Sequence, residues 1–315
     1  MTETPLRVGV VGAGPWAELV HAPMFAAGPE TVLSGIWARR PEAAQALAAR
    51  HGSTAFAGFE ELLADSDAVA FAVPPSVQAE LAAQAARAGK AILLEKPVAA
   101  DLAAAMRLAD IVEASGVTSM ITLTYRYASG VREFLAEAKT KQFRGGRSLF
   151  LTNAYLGGPF ATEWRLASGS LLDTGPHAID LLEAAVGPVV AVNGVHGTGE
   201  WTAVTLEHEN GATTQVSLCS HTATDPLRIE MDLYNEHETV RLDVTAAMGE
   251  AYGEAILQGT RPLSDAEAFQ TLRREFAASA RSGRVHELDI RHGIRLQRIV
   301  AAIQRALDTP GQQVG

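Results

Sequence analysis

The chain has 315 residues, 47 % hydrophobic and 20 % charged, the composition of an ordinary globular protein with room for about two domains. Its formal charge of −10 is spread evenly, with 8 Lys+Arg against 13 Asp+Glu in residues 1–122 and 18 against 23 in residues 123–315, so nucleic acid and anionic membranes are poor partners. Cys219 is the sole cysteine, which excludes an intrachain disulfide and a multi-cysteine metal site, and no apolar run reaches the ~18 residues of a membrane helix. The N-terminus, MTETPLRVGVVGAG, lacks a basic segment ahead of an apolar one, so a cytoplasmic location is expected.

In chain order, the first part alternates short β-rich runs with Ala-rich helical stretches. Strands are predicted at 7–12, 31–37, 67–73, 91–94 and 118–123, with a weak one near 53–56. Helices are predicted near 16–27, 41–51, 77–89 and 101–115, the last two stopping at Gly89 and Gly116. Strands separated by helices imply a doubly wound parallel (Rossmann) sheet, an α/β domain spanning 1–123.

After about residue 125 the pattern changes. Strands are predicted at 147–155, 189–196, 201–207, 213–220, 228–234 and 239–244. One strong helix interrupts them near 175–186, and two more close the chain at 264–282 and 289–307. Consecutive strands with few crossovers imply an α+β domain on a mostly antiparallel open sheet, residues 124–315, with its closing helix able to pack back on the first domain.

The motif Gly12-Ala13-Gly14-Pro15-Trp16-Ala17 follows the first strand and opens the first helix. It reads G-x-G-x-x-A: Gly12 and Gly14 permit a tight turn and close backbone approach, and a pyrophosphate would sit at the helix N-terminus. The second strand would end in an acid if it met a free ribose 2′-hydroxyl. Here it ends Trp37-Ala38-Arg39-Arg40, with no acid and two guanidinium groups. Arginine binds phosphate bidentately, which favours NADP(H) and leaves NAD(H) possible. The alternative is a solvated helix entry before Pro41. Pro74-Pro75 ends the fourth strand, at the carboxyl edge where ligands bind such sheets, although a plain turn would look the same.

Glu95-Lys96-Pro97 ends a four-residue apolar run with two charges and a chain stop. Taken alone, a lysine there is a surface charge. Asp173 and His177 are four residues apart and would share one face of a helix. Pro176 is tolerated only in a first turn, so the helix starts near Gly175 or kinks there, with His177 near its positive end. Taken alone, such a histidine is more often structural, and Asp180 reads as a satisfied polar residue. Arg126, between Tyr125 and Tyr127, and Tyr155 are candidates for substrate contact. His196, His208, His221 and His237 are scattered, which argues against a metal site.

The glycine loop, Glu95-Lys96-Pro97 and the stretch DTGPHAID at 173–180, in this order, resemble the Gfo/Idh/MocA oxidoreductases, named for glucose–fructose oxidoreductase and inositol dehydrogenase. Further matches are HAP at 21–23, PPS at 74–76, AGK at 88–90, TEWR at 162–165 and the closing RIVAAIQRAL. The resemblance implies that Lys96, Asp173 and His177 form a catalytic centre, and that Lys96-Pro97 is often cis. It also implies that Glu95 orients the turn or holds the cofactor, and that Trp164-Arg165 closes over it. The chain departs from the family at Ala17, at Ala38 and at Gln78, where a histidine is common.

The expectation is therefore an NADP(H)-dependent dehydrogenase acting on a hydroxyl/ketone pair of a sugar, cyclitol or related polyol, without metal, and assembled as a homodimer or homotetramer. Two other readings stay open. A nucleotide-sensing regulator would bind the cofactor without turnover. A cofactor-assisted lyase or glycosidase would give a product with no net redox change.

Overall fold

The computed structural model describes residues 4–224, 227–249, 252, 263–264 and 266–309. Two compact units result. Unit one takes the chain through Thr124 and the later segment Gly259–Arg295; unit two takes Tyr125–Gln258 and the chain from Leu296. The expected second domain, 124–315, thus lends a late segment to unit one.

Unit one holds six parallel strands: β1 Leu6–Val11, β2 Thr31–Trp37, β3 Thr54–Ala55, β4 Ala68–Phe71, β5 Ala91–Leu94 and β6 Ser119–Ile121. Their order is β3-β2-β1-β4-β5-β6, so the chain reverses direction across the sheet between β1 and β4. That is the doubly wound arrangement, and ligands bind at this switch point. β4 (AVAF) and β5 (AILL) are buried at every residue, the continuous apolar run of a strand covered on both faces. Helices α2 Pro41–Arg50, α3 Phe59–Ala64, α4 Pro75–Arg87 and α5 Leu102–Ser115 connect the strands. In α5, Asp101 caps the start by accepting the Ala104 N–H at 2.7 Å, and Gly116 closes the end at φ +66°.

The expected first helix, 16–27, carries a π turn at Ala17–His21 before its α segment, Ala22–Ala26; together they form α1. Pro23 explains the widening. It has no N–H to give the Leu19 carbonyl, and the Ala22 N–H reaches back to Ala17 O. The Leu19 carbonyl instead accepts the Leu263 N–H at 2.8 Å, from the segment that returns to unit one.

That segment includes α10, Glu267–Ser282, and the start of α11, Ile290–Leu307. The predicted helix 264–282 is shorter at its start, and residue 265 lies outside the described residues. Phe269 and Phe276 of α10 lean on Trp16 and Phe25, and Arg273 pairs with Glu30 at 2.9 Å. The Leu288 carbonyl takes the Ile121 N–H at 2.8 Å, which covers the edge of β6.

Unit two holds β7 Gly145–Leu151, β8 Val189–His196, β9 Thr202–His208, β10 Thr213–Cys219, β11 Arg228–Tyr234 and β12 Thr239–Asp243, in the order β12-β11-β7-β10-β9-β8. The sheet is mixed: β7 and β10 run parallel and the other pairs antiparallel. Besides α8, Gly175–Val186, there are two helices that the sequence pattern does not signal, α6 Ser129–Ala138 and α7 Glu163–Asp173, and a short turn, α9 Val244–Ala247. Helices α7 and α8 lie against β10, and α8 also reaches β7. Among the described residues, no helix is long and apolar enough to cross a membrane.

Gly293 in α11 tests the packing of the late segment. A Cβ there would lie 2.7 Å from Val98 Cγ1 and 3.1 Å from Ile121 Cδ1, both buried and both β-branched. Alanine gains ~1 kcal/mol of helix propensity. Overpacking costs ~1–3 kcal/mol. Gly293→Ala is therefore expected to lower the urea midpoint by the equivalent of about 1 kcal/mol; a raised midpoint contradicts this packing.

Candidate active site

The nucleotide-binding elements lie in unit one. Gly12 follows β1 at φ +115°, a conformation that L side chains rarely adopt, and a Cβ there would sit 2.3 Å from the Ala72 carbonyl. Its N–H donates to Trp37 O at 2.8 Å, and the Ala72 N–H to Val11 O at 2.8 Å, so the ends of β1, β2 and β4 are laced together. At Gly14 nothing lies within 4 Å of where a Cβ would be. Pro15 and Trp16 open α1, and Ala17 is fully buried behind them. The result is an open backbone cradle at a helix start, which fits a dinucleotide pyrophosphate.

Ala38, Arg39 and Arg40 follow β2. Both arginines are exposed, and among the described residues neither guanidinium meets a carboxylate. Pro74 precedes α4 and Pro75 is its first residue, so the pair fixes where that helix starts.

The Glu95-Lys96-Pro97 turn leaves β5 with a cis Lys96-Pro97 peptide. The Glu95 carboxylate is not left to solvent: its Oε1 accepts from Trp16 Nε1 at 2.6 Å and from His21 Nε2 at 2.9 Å. Trp16 belongs to the glycine loop, so one carboxylate ties that loop to the lysine turn. Gln78, fully buried, bonds the Glu95 backbone on both sides. Lys96 is half-buried.

Asp173 and His177 lie in unit two. As Pro176 implies, a helix starts at Gly175, and Asp173 lies before it rather than within it. Asp173 is the last residue of α7, Thr174 joins the helices, and His177 sits in the first turn of α8 beside Pro176. The Thr174 carbonyl accepts the His177 N–H at 3.2 Å, which keeps the two residues about one turn apart across the break.

Asp173 is buried and held from two sides, by Tyr155 Oη at 3.1 Å and Arg165 Nε at 3.4 Å. The expected strand 147–155 stops at Leu151, so Tyr155 comes from the following turn, where its N–H bonds Ser220 O at 3.0 Å. The Arg165 guanidinium stacks on Trp164 and Phe160, with centroids 4.8 and 5.1 Å away. The His177 ring meets the Tyr125 ring edge-on at 4.8 Å and Phe150 of β7 at 6.3 Å. These aromatic walls are the part of the site that the sequence motifs did not signal.

Arg126 is buried and pairs with Asp180 at 2.8 Å, so the guanidinium considered for substrate contact is engaged inside the unit. His208 is satisfied by Gly187 O and Thr214 Oγ1, and His221 pairs with Glu200. Among the described residues no group of three His, Cys, Asp or Glu is placed to hold a metal ion.

Glycine loop, 3-2-1-4-5-6 sheet and lysine turn define a dinucleotide-binding Rossmann protein with an appended α+β unit. The family described as "Oxidoreductase family, NAD-binding Rossmann fold" (GFO_IDH_MocA) matches residues 6–123, and its C-terminal domain family matches 131–241; the chain belongs to this family. It is similar to the dTDP-3,4-didehydro-2,6-dideoxy-alpha-D-glucose 3-reductase of Streptomyces violaceoruber, 30 % identical over 61 % of this chain and 58 % of that protein. The D-glucoside 3-dehydrogenase of Escherichia coli is 27 % identical over 67 % of this chain and 66 % of its own. The chain thus spans a little over half of the first of these relatives. Among solved structures, GenD2 from gentamicin A biosynthesis, in complex with NAD, superposes with a TM-score of 0.84 at 22 % identity, covering 98 % of this chain and 95 % of that one.

Burial raises the Tyr155 phenol, and the adjacent Asp173 carboxylate raises it further; burial and Tyr252 do the same for Tyr125. A raised phenol pKa favours the native state fully below the unfolded value, about pH 10, and the advantage is lost as pH rises beyond it. Titrating the phenolate absorbance of the native protein through about pH 9–11 should therefore give the same curve for wild type and Tyr155→Phe. A lost titration step in the variant contradicts this environment.

Proposed function

We propose that the protein is a nicotinamide-dependent dehydrogenase/reductase that interconverts a hydroxyl and a ketone on a sugar or related polyol. The observation that carries the reading is the Glu95 carboxylate, which joins the tryptophan of the dinucleotide loop to the turn bearing Lys96. The two relatives named above are called a 3-reductase and a 3-dehydrogenase of glucose derivatives, which points the reading to carbon 3 of a pyranose.

A bound nicotinamide would supply or take up the hydride. The cradle at Gly12 and Gly14 would hold its pyrophosphate. In oxidation His177 takes the hydroxyl proton, and in reduction it returns one to the carbonyl oxygen. The Lys96 ammonium stabilises charge developing on that oxygen, and Asp173 orients the substrate and the Lys96/His177 pair. Tyr155 and Arg165 hold the Asp173 carboxylate, and the Tyr125 and Phe150 rings fix the imidazole. A panel of glucosides, anhydro-sugars, sugar phosphates and nucleotide sugars, followed at the nicotinamide absorbance band, tests the class. On a sugar that turns over, Lys96→Met is expected to lower kcat about 10²–10³-fold. His177→Ala is expected to lower it about 10²–10⁴-fold. Cofactor affinity should stay within a few fold, and full activity in either variant contradicts the assignment.

The preferred cofactor in this reading is NADP(H). The support is Ala38 in place of an acid, followed by two exposed arginines. A charge-assisted hydrogen bond contributes about 1.5–3 kcal/mol, so Arg39→Ala should weaken NADP⁺ by about tenfold or more and leave NAD⁺ nearly unchanged. Tighter binding of NAD⁺ than NADP⁺ by the wild type contradicts this preference, and the GenD2 complex shows that a similar fold takes NAD.

The protein is also proposed to be a homodimer or homotetramer. On β8, Val190 and Val195 are exposed, and beside them Ala203, Thr205 and Ser217 present small side chains on half-buried sheet positions. Light scattering is expected to give a multiple of the 33.3 kDa chain mass; a clean monomer at micromolar concentration excludes the assembly.

A further inference from the structure

We propose that Gln78 is a positioning residue for Lys96, holding the Glu95-Lys96 backbone through its side-chain amide. This rests on the reading of Lys96 as catalytic. Sequence comparison marked Gln78 only as a departure from the usual histidine. Its place in the fold gives it a definite task.

Gln78 lies in the first turn of α4, and its N–H bonds Pro74 O at 3.0 Å. Pro74 and Pro75 fix the start of that helix, so they fix where the Gln78 side chain sets out. The side chain is 0 % exposed. Its Oε1 accepts the Glu95 N–H at 2.9 Å, and its Nε2 donates to Glu95 O at 2.8 Å and Val98 O at 3.1 Å, with Pro97 O at 3.4 Å. The amide orientation is unambiguous, because a flipped amide would turn an NH₂ onto the Glu95 N–H. One planar group thus bonds both polar groups of Glu95 and spans Lys96 to the far side of the turn.

The demand for such a group follows from strand topology. β5 pairs with β4 through Leu93 and with β6 through Leu94, and both ladders end there. Glu95 comes next, half-buried, and its N–H and C=O need partners. Glutamine supplies an acceptor and two donors in one plane. An ionised carboxylate in its place could accept from Glu95 N–H but would face two carbonyls with no proton. An apolar residue would leave all three groups unsatisfied. The Glu95 carboxylate is held separately, by Trp16 and His21. With backbone and side chain of Glu95 both fixed, the following residue has little freedom at its Cα, and the reach of the Lys96 ammonium is set.

Gln78→Met keeps the volume and removes the hydrogen bonds. Gln78→Glu keeps an acceptor for the Glu95 N–H and supplies one donor for the Glu95 carbonyl, the latter only while the new carboxyl is protonated. Two readouts decide the matter. The first needs no substrate: hydrogen exchange at the Glu95 amide should be at least about tenfold faster in Gln78→Met, with the urea midpoint used to correct for global opening. Unchanged exchange overturns the clamp. The second uses the panel sugar that turns over fastest. Displacing a reacting group by ~1 Å can cost about 10²-fold, so kcat of Gln78→Met should fall about tenfold to a hundredfold, with NADP⁺ affinity within a few fold. For Gln78→Glu, kcat should be near wild type at low pH and fall as the new carboxyl ionises, a profile that a purely structural role would not give. If Gln78→Met fails to fold, the Gln78→Glu profile alone decides. If Lys96→Met collapses turnover while both Gln78 variants match wild type at every pH, the inference is wrong and the catalytic reading survives. If Lys96→Met is fully active, the catalytic reading fails first, and the inference fails with it.

Discussion

Unit one is organised around the need to satisfy the polar groups of one turn at the end of a strand buried on both faces. β5 carries Glu95 out of a wholly apolar environment, and a carboxylate and a peptide unit placed there cost several kcal/mol if left unpaired. Four side-chain bonds prevent that, two to the carboxylate and two to the backbone. The partners come from α1 and α4, which start at the carboxyl ends of β1 and β4, the two strands flanking the switch point. The strand order that creates a nucleotide crevice therefore also creates the means to hold a lysine beside it. His21 is itself buried in α1, whose π turn follows from Pro23.

In unit two the same logic applies with different chemistry. A carboxylate ends one helix, an imidazole begins the next, and Thr174 serves both. Asp173 takes its bonds from Tyr155 and Arg165, and each of these is fixed in turn: the tyrosine through its N–H to Ser220, the arginine by stacking on two aromatic rings. The phenol donates to the carboxylate and stays protonated because burial and that negative charge both disfavour its anion.

Strong local patterns were legible in the sequence. The strands 31–37, 91–94, 189–196 and 228–234 and the helix 175–186 have the bounds that β-branched runs, turn residues and Pro176 imply. The glycine loop was readable because its backbone demands are local. What was not readable depends on distant partners. Helix α7 contains Gly169 at φ +71°, a kink that destroys the helical pattern. The parallel pairing of β7 with β10 joins strands far apart in the chain. The late segment reaches unit one through Arg273–Glu30 and Leu263–Leu19, contacts that no sequence window spans. Lys96, Asp173 and His177 were marked by motif; His21 was matched only as part of HAP and Gln78 only as a departure, so what those two bond, and the place of Phe150, emerge only from packing.

In the proposed reaction, hydride passes directly between a sugar carbon and the nicotinamide. The most direct measurement follows a label: a turned-over pyranose deuterated at carbon 3 is incubated with the protein and NADP⁺, and the reduced cofactor is isolated and analysed by mass spectrometry and NMR. Stoichiometric deuterium at nicotinamide C4, with a keto-sugar as the product, is the result expected. Reduced cofactor without the label, or a cleaved sugar with the cofactor returned to its oxidised state, would contradict it.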